Sequence, residues 1–268
     1  MSQWSDLERP PLSAARLRAV LRDDPLWTAL EVRASTTSTN ADVATAARDG
    51  AAEGLVVIAE EQRGGRGRLG RSWEAPARSS VLMSLLLRPE LPVTSLPLIP
   101  LLTGVAVVES TRGVGEVNSA LKWPNDVLVS GRKLGGILVE RLDDAVVVGI
   151  GVNVTVRAEE RPVDTATSLA IEGGSTDREP LVKELLRSFS RRYRTFRDAG
   201  GVADAVMPAY RSVCETIGVQ VRVELPGGRT VTGRAIDVDD SGQLVVEDSD
   251  GATARWSAGD VTHVRSTG

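Results

Sequence analysis

An apolar run, Leu55-Val56-Val57-Ile58-Ala59, leads straight into Glu61-Gln62-Arg63-Gly64-Gly65-Arg66-Gly67-Arg68-Leu69-Gly70-Arg71-Ser72-Trp73. Between Arg63 and Arg71 stand four arginines and four glycines. A buried strand that ends this way cannot continue as sheet or helix, because glycine carries the largest entropy loss on ordering and like charges repel. A loop follows. Its glycines let backbone N–H groups approach a ligand closely, and its arginines supply forked, permanently charged donors. Such a loop suits a compact anion. Gly65, Gly67 and Gly70 match the spacing of a dinucleotide fingerprint, but Ser72-Trp73-Glu74-Ala75-Pro76-Ala77-Arg78 shows no helical period. A Rossmann turn needs a helix there to receive the pyrophosphate, so that fold is excluded.

The other segments are mixed. Ser13 to Arg22 reads as a short helix bracketed by prolines, and Leu30–Ala34 as a short strand. Ala41–Asp49 reads as a helix with Gly50 beyond its end and Ser38 or Thr39 as N-cap, Asp42 completing a capping box. Strands are expected at Leu55–Glu60, Ser80–Leu87 and Ala120–Trp123, and a core helix at Leu98–Glu109. A hairpin is expected about Asp143-Asp144, and an amphipathic helix over Leu181–Phe196. Residues 155–180 read as a polar, mobile loop. From Val219 onward apolar and polar residues alternate between tight turns, which predicts a small β-barrel or sandwich. The pattern divides the chain into 1–29, an N-terminal extension with one helix, 30–216, an α+β domain, and 217–268, the small barrel.

Scarcity excludes several chemistries. Cys214 and His263 are the only cysteine and histidine, so neither an internal disulfide nor a His/Cys zinc site can form. A Ser-His-Asp arrangement would have to recruit His263 from the barrel. The net charge of −4, and eight acids against five arginines in residues 218–268, argue against nucleic acid as partner. The longest apolar run is broken by Pro97, Pro100, Thr103 and Gly104, so no membrane span is expected, and Met1–Asp6 lacks the form of a secretory signal. A cytoplasmic location is the expectation.

Only three of the 32 basic residues are lysines, Lys122, Lys133 and Lys183. Lys122 stands in Lys122-Trp123-Pro124-Asn125-Asp126 and Lys133 in Lys133-Leu134-Gly135-Gly136-Ile137-Leu138. A compact ammonium kept in an arginine-rich chain points to places that a guanidinium does not fit. Gly149-Ile150-Gly151-Val152-Asn153 ends a strand with two missing side chains, which makes room for a ligand.

Taken in order with Ser38-Thr39-Asn40, these elements resemble the biotin protein ligase family, of the monofunctional type without an N-terminal DNA-binding domain. The resemblance runs from about residue 30 to the C-terminus, and its specific elements are the GRGRxGRxW and KWPND motifs. It implies a mixed-sheet catalytic domain of the class II synthetase type followed by an SH3-like β-barrel. It also implies activation of biotin by ATP, with Mg²⁺ carried on the nucleotide, to biotinyl-5′-AMP. Biotin then passes to a lysine of a biotin carboxyl carrier domain of acyl-CoA carboxylases. Lys122 and Arg68 would be catalytic. Ser38, Thr39, Asn40, Gln62, Arg66, Gly67, Arg68, Lys122, Gly149 and Gly151 would hold biotin. Arg71, Trp73, Asn125, Asp126, Lys133, Asn153 and Arg265 would face ATP. No DNA binding and no repressor role are expected, and the state is a monomer or a ligand-linked homodimer. A lipoate or octanoate ligase and a non-catalytic biotin sensor are the competing readings.

Overall fold

The computed structural model describes residues 9–19, 24–225 and 227–264. A seven-stranded sheet forms the main body, in the order β1-β2-β3-β7-β6-β5-β4. Its strands are β1 (Ala29–Arg33), β2 (Leu55–Ala59), β3 (Ser80–Leu87), β4 (Ser119–Lys122), β5 (Asp126–Val129), β6 (Arg132–Leu142) and β7 (Ala145–Asn153). Only β1 and β2 run parallel. β6 and β7 form the expected hairpin, turning at Asp143-Asp144, with Asp143 in the left-handed region.

Both faces of the sheet are covered, and period-two alternation sets what each receives. Val56 and Ile58 of β2 and Val146, Val148 and Ile150 of β7 join the large core. There they meet helices α3 (Ile99–Gly113) and α4 (Arg178–Asp198). Val57, Leu86 and Val147 point the other way and pack under α2 (Thr39–Arg48) through Val43 and Ala47. At the first turn of α2 and beyond it β7 carries Gly149 and Gly151 in place of larger side chains, and past the helix end this second face opens.

Helix α3 is longer than the sequence pattern suggests. Pro100 lies in its first turn, where no N–H is needed, and Pro97 in a 3₁₀ turn over Val93–Leu98. The run Val93–Gly113 has the length and apolarity of a membrane-crossing helix, but two-thirds of its most apolar window is buried in the protein core. Residues 155–180 also differ from expectation. Val156, Ala166, Thr167, Ser168 and Leu169 are buried, and Lys133 and residues 165–167 exchange backbone hydrogen bonds of 2.7 and 2.8 Å. Residues 166–169 are thus packed beside β6, while 162–165 stay exposed.

A short helix α5 (Met207–Val213) leads to the second sheet, five antiparallel strands in the order β11-β10-β9-β8-β12. They are β8 (Gln220–Glu224), β9 (Thr230–Val238), β10 (Leu244–Glu247), β11 (Thr253–Trp256) and β12 (Asp260–His263). Val221, Val223, Val246 and Val261 belong to the same continuous core as the main sheet. The indole Nε1 of Trp123 donates to Gly242 O at 3.0 Å and ties the two sheets together.

The N-terminal segment packs into the main body. The predicted helix over residues 13–22 is the turn α1 (Ala14–Leu17), with residues 20–23 outside the described ones. Leu12, Leu17, Leu26 and Trp27 are buried. A buried ion pair fastens this segment: Arg178 Nη1 meets Glu60 Oε2 at 2.7 Å, both side chains at most 6% exposed. Arg178 also donates to Pro10 O, and Glu60 accepts from the Leu12 N–H. Removing one partner of a buried pair strands the other charge, which costs about 3–5 kcal/mol. Arg178→Ala should therefore lose about that much unfolding free energy in urea; a loss under ~1 kcal/mol would mean that Glu60 finds another partner or is not buried.

Candidate active site

The site lies on the open part of the second face. Strand register places Gly149 between Ser84 of β3 and Leu138 of β6, and Gly151 between Leu82 and Gly136. Asn40, in the first turn of α2, fills the space above Gly149. A Cβ there would run into the Asn40 amide. The Asn40 amide is fully engaged. Its Nδ2 donates to Glu140 Oε2 at 2.6 Å and to Leu138 O at 3.3 Å, and its Oδ1 accepts from Ser84 Oγ at 2.6 Å. Ser84 Oγ also lies 2.7 Å from Thr39 Oγ1. Ser84 and Glu140 were not singled out by sequence reasoning. Ser84 could have been noticed as a lone hydroxyl deep in an apolar strand; Glu140 needed the register.

The predicted capping box does not form. Asp42 accepts instead from Thr36 Oγ1 at 2.7 Å and pairs with Arg33 at 2.9 Å. The first turn of α2 is capped from outside, by Gln62 Oε1, which accepts from the Thr39 N–H at 2.8 Å and lies 2.9 Å from Thr39 Oγ1. Ser38, the N-cap, makes no capping bond and lines the cleft. The four polar residues expected to bind one ligand, Ser38, Thr39, Asn40 and Gln62, therefore converge.

The Arg/Gly loop is a small hairpin over the cleft. Gly67 N donates to Arg71 O at 2.7 Å and Trp73 N to Gly65 O at 2.9 Å, with a 3₁₀ turn over Arg68–Gly70 between them. Leu69 in that turn has φ 56° and is 64% exposed. Gly65 cannot carry a side chain, since a Cβ would press on Trp73 O. Trp73 lies flat on the glycine floor: a Cβ on Gly151 would sit 2.8 Å from Trp73 Cε2, and one on Gly136 would sit 3.2 Å from Cζ3. Lys133 Nζ covers the indole at 5.7 Å, and the indole N–H has no partner among the described residues.

Trp73 divides the cleft into two depressions. The first is lined by Ser38, Thr39, Asn40 and Gln62, by Arg66, Gly67 and Arg68, by Asn125, and by Gly149 and Gly151. The second is lined by Lys122, Asn153, Glu74, His263, Pro162, Val163, Thr165 and Ala166. Arg71, Trp73, Asp126 and Lys133 border both. Lys122 thus faces the second depression and not the first. Asn153 shapes that wall, accepting from Ser80 Oγ at 3.2 Å and donating to Thr167 O at 3.0 Å. Arg265 lies outside the described residues.

Four side-chain cations and two carboxylates meet at this border. Lys133 pairs with Asp126 at 2.6 Å, and Arg71 pairs with Asp260 of β12. Arg68 donates to Asn125 Oδ1 at 3.2 Å. Burial lowers the Lys122 pKa from 10.5; Asp126 opposes the shift and Lys133 adds to it. Burial likewise lowers that of Arg68, against the pull of Asp260 and Asp126. Burial works to raise the Asp260 pKa, but the Arg71 hydrogen bond and the nearby Arg71, Lys122 and Arg68 charges bring it down. His263 is lowered by burial and by Lys122, and its Nε2 lies 3.1 Å from Thr216 Oγ1. Asp260 and His263 are barrel residues that sequence reasoning left out of the site. The arrangement leaves excess positive charge beside a polar, glycine-floored cleft, which suits bringing two anions together.

Known proteins match both halves. Residues 32–156 match the biotin/lipoate A/B protein ligase family, and residues 216–264 match the biotin protein ligase C-terminal domain. A biotin–[acetyl-CoA-carboxylase] ligase of Mycobacterium tuberculosis is 42% identical over 97% of this chain and 98% of its own. The bifunctional ligase/repressor BirA of Bacillus subtilis is 33% identical over 92% of this chain and 78% of its own. The solved biotin protein ligase of Aquifex aeolicus, in complex with biotin and ATP, superposes with a TM-score of 0.75 at 27% identity, covering 90% of this chain and all of its own. The mixed-sheet body and the SH3-like C-terminal domain agree with these matches, and the chain belongs to the biotin protein ligase family.

Proposed function

We propose that the protein activates biotin with MgATP to biotinyl-5′-AMP and transfers the biotinyl group to one lysine of a biotin carboxyl carrier domain. The hydroxyl- and amide-lined floor of the first depression carries this reading. The Glu140 carboxylate faces the Asn40 Nδ2, and the Thr39 N–H faces Gln62 Oε1, so neither amide can be turned round. Thr39 and Ser84 then have two hydroxyl protons for three oxygen–oxygen contacts, to Gln62, to each other and to Asn40. The Thr39 N–H serves Gln62 Oε1 and Ser84 serves Asn40 Oδ1, so no acceptor is orphaned, and the two hydroxyl oxygens keep lone pairs for an outside N–H donor. A cyclic urea brings two N–H groups; the dithiolane of lipoate brings none. A floor of hydroxyl and amide groups thus favours the polar urea over an apolar dithiolane.

In the first step the biotin carboxylate attacks the α-phosphorus and pyrophosphate leaves. Both partners are anions, and in-line transfer needs positioning and charge more than it needs a protein nucleophile. Biotin occupies the first depression, ring on the floor and chain under Arg66-Gly67-Arg68. The nucleotide occupies the second, against Lys122, Asn153, Ala166 and the exposed stretch before it. Lys122 reaches the α-phosphate from the nucleotide side. Arg71, Lys133, Asn125 and Asp126 stand along the line between acid and phosphates, and Trp73 separates ring from base. Arg68 closes the loop over the mixed anhydride. A cytoplasmic setting fits this substrate set. Incubation with ATP, Mg²⁺, biotin and a carrier domain should add one biotinyl mass to one carrier lysine; an unlabelled carrier with bound biotin would favour a sensor.

Lys122→Ala should cut biotin-dependent ATP–pyrophosphate exchange roughly 100- to 1,000-fold, the cost of one positioned transition-state charge, with biotin affinity within threefold. Exchange at the wild-type rate would remove Lys122 from the step. Its lowered pKa means that the proton is held less tightly in the folded protein, so the cation is lost as pH rises through a value below 10.5. Wild-type exchange should accordingly fall on the alkaline side before pH 10.5. Arg68→Gly should still form adenylate but release it. Adenylate would appear in the filtrate, and bystander proteins would be labelled; labelling confined to the carrier would contradict the guarding role.

A further inference from the structure

His263 is the chain's only histidine, and β12 delivers it from the barrel to the wall of the second depression. Its half-buried ring is anchored on one nitrogen: Nε2 lies 3.1 Å from Thr216 Oγ1. Nδ1 makes no hydrogen bond among the described residues. Thr216 is fully buried, and its Oγ1 accepts the Trp123 N–H at 2.9 Å, one residue beyond Lys122. After that bond Oγ1 keeps one proton and one lone pair. It can therefore bond Nε2 whether that nitrogen is bare or protonated. The ring can change its charge without having to move.

The charges around the ring favour its neutral form in the free protein. Lys122 of β4, Asp126 of β5, Lys133 of β6, and Arg71 and Glu74 of the loop line the same depression. Asp126 is taken by Lys133, and Asp260, on the same strand as His263, is taken by Arg71. Lys122 has no ion-pair partner among the described residues. On β8 the residue paired with His263 is the buried, uncharged Val221, and in the linker Glu215 beside Thr216 is exposed. Burial and the Lys122 charge hold the imidazole below its usual 6.5. A triphosphate entering the depression reverses the sign of that field and stabilises an imidazolium. We infer that His263 is a nucleotide-binding residue, neutral in the free protein, that takes up a proton as the triphosphate binds and donates its Nδ1–H to it. The inference rests on the ligase reading above, with the nucleotide in the second depression. The proton comes from bulk water and returns there once the phosphates have left, so no step of the transfer consumes it. Because the protonated form binds ATP more tightly, the gain is present at low pH and fades as pH rises through the pKa of the complex.

His263→Gln keeps a hydrogen-bonding side chain and cannot take the charge. Its KM for ATP in biotin-dependent ATP–pyrophosphate exchange should exceed that of wild type about five- to tenfold at pH 5.5 and by less than about twofold at pH 8.5, with no such difference in the KM for biotin. Taking the ratio of the two proteins at each pH removes the titration of ATP itself and of Lys122. His263→Asn should show the same pattern. A variant-to-wild-type ratio equal at both pH values would overturn the proposal, since loss of the Thr216 contact alone acts at every pH. So would a rise in the KM for biotin that matches the rise for ATP. Absence of biotin-dependent exchange in the wild-type protein would instead defeat the ligase reading, and this inference with it.

Discussion

The seat of Asn40 over Gly149 is the constraint on which the site depends. Only a residue without a side chain lets the first turn of α2 approach the sheet so closely. That approach brings the Asn40 amide between Ser84 and Glu140, strands apart in sequence, and aligns Thr39 with Gln62. A half-satisfied buried network costs more than an apolar floor. Here each member fixes the next, from the carboxylate of Glu140 to the carbonyl of Gln62, and the hydroxyl oxygens of Thr39 and Ser84 keep lone pairs for a ligand. Shape and polarity then favour the same ligand. The second glycine, Gly151, does for Trp73 what Gly149 does for Asn40.

Electrostatics supply the chemistry that the side-chain inventory lacks. With a single cysteine and a single histidine, the chain has little to build an activated thiol or a His-assisted hydroxyl from, and acyl adenylation needs no nucleophile from the protein. What it needs is positive charge that is already in place. Lys122, Lys133, Arg68 and Arg71 are arranged around the border of the two depressions, and Asp126 and Asp260 neutralise part of their repulsion. Exposed pairs such as Arg71 with Asp260 contribute about 0–1 kcal/mol, so an arriving phosphate can replace the carboxylate at little cost. The barrel is thereby part of the site, through Asp260 and His263.

Much of this was legible in the sequence because motif and local structure coincide. Glycine at 65 is required by the backbone of Trp73, and alternation along 145–153 separates core valines from site glycines. What was not legible depends on register. Ser84 and Glu140 enter the site because Gly149 pairs with Ser84 on one side and Leu138 on the other, and one sequence does not reveal strand pairing. Residues 155–180 look like a loose loop because their contacts run to Lys133, Asn153 and Ser79, all distant in sequence. The capping box failed for a related reason: Gln62, from the next loop, took the donor that Asp42 was expected to serve.

The central claim, that the glycine-seated polar floor selects a cyclic urea, is tested most directly by isothermal titration of the protein with biotin and, separately, with lipoate. The account predicts one saturable biotin site with favourable enthalpy and no detectable heat from lipoate at the same concentrations. Saturable binding of lipoate together with no binding of biotin would contradict it.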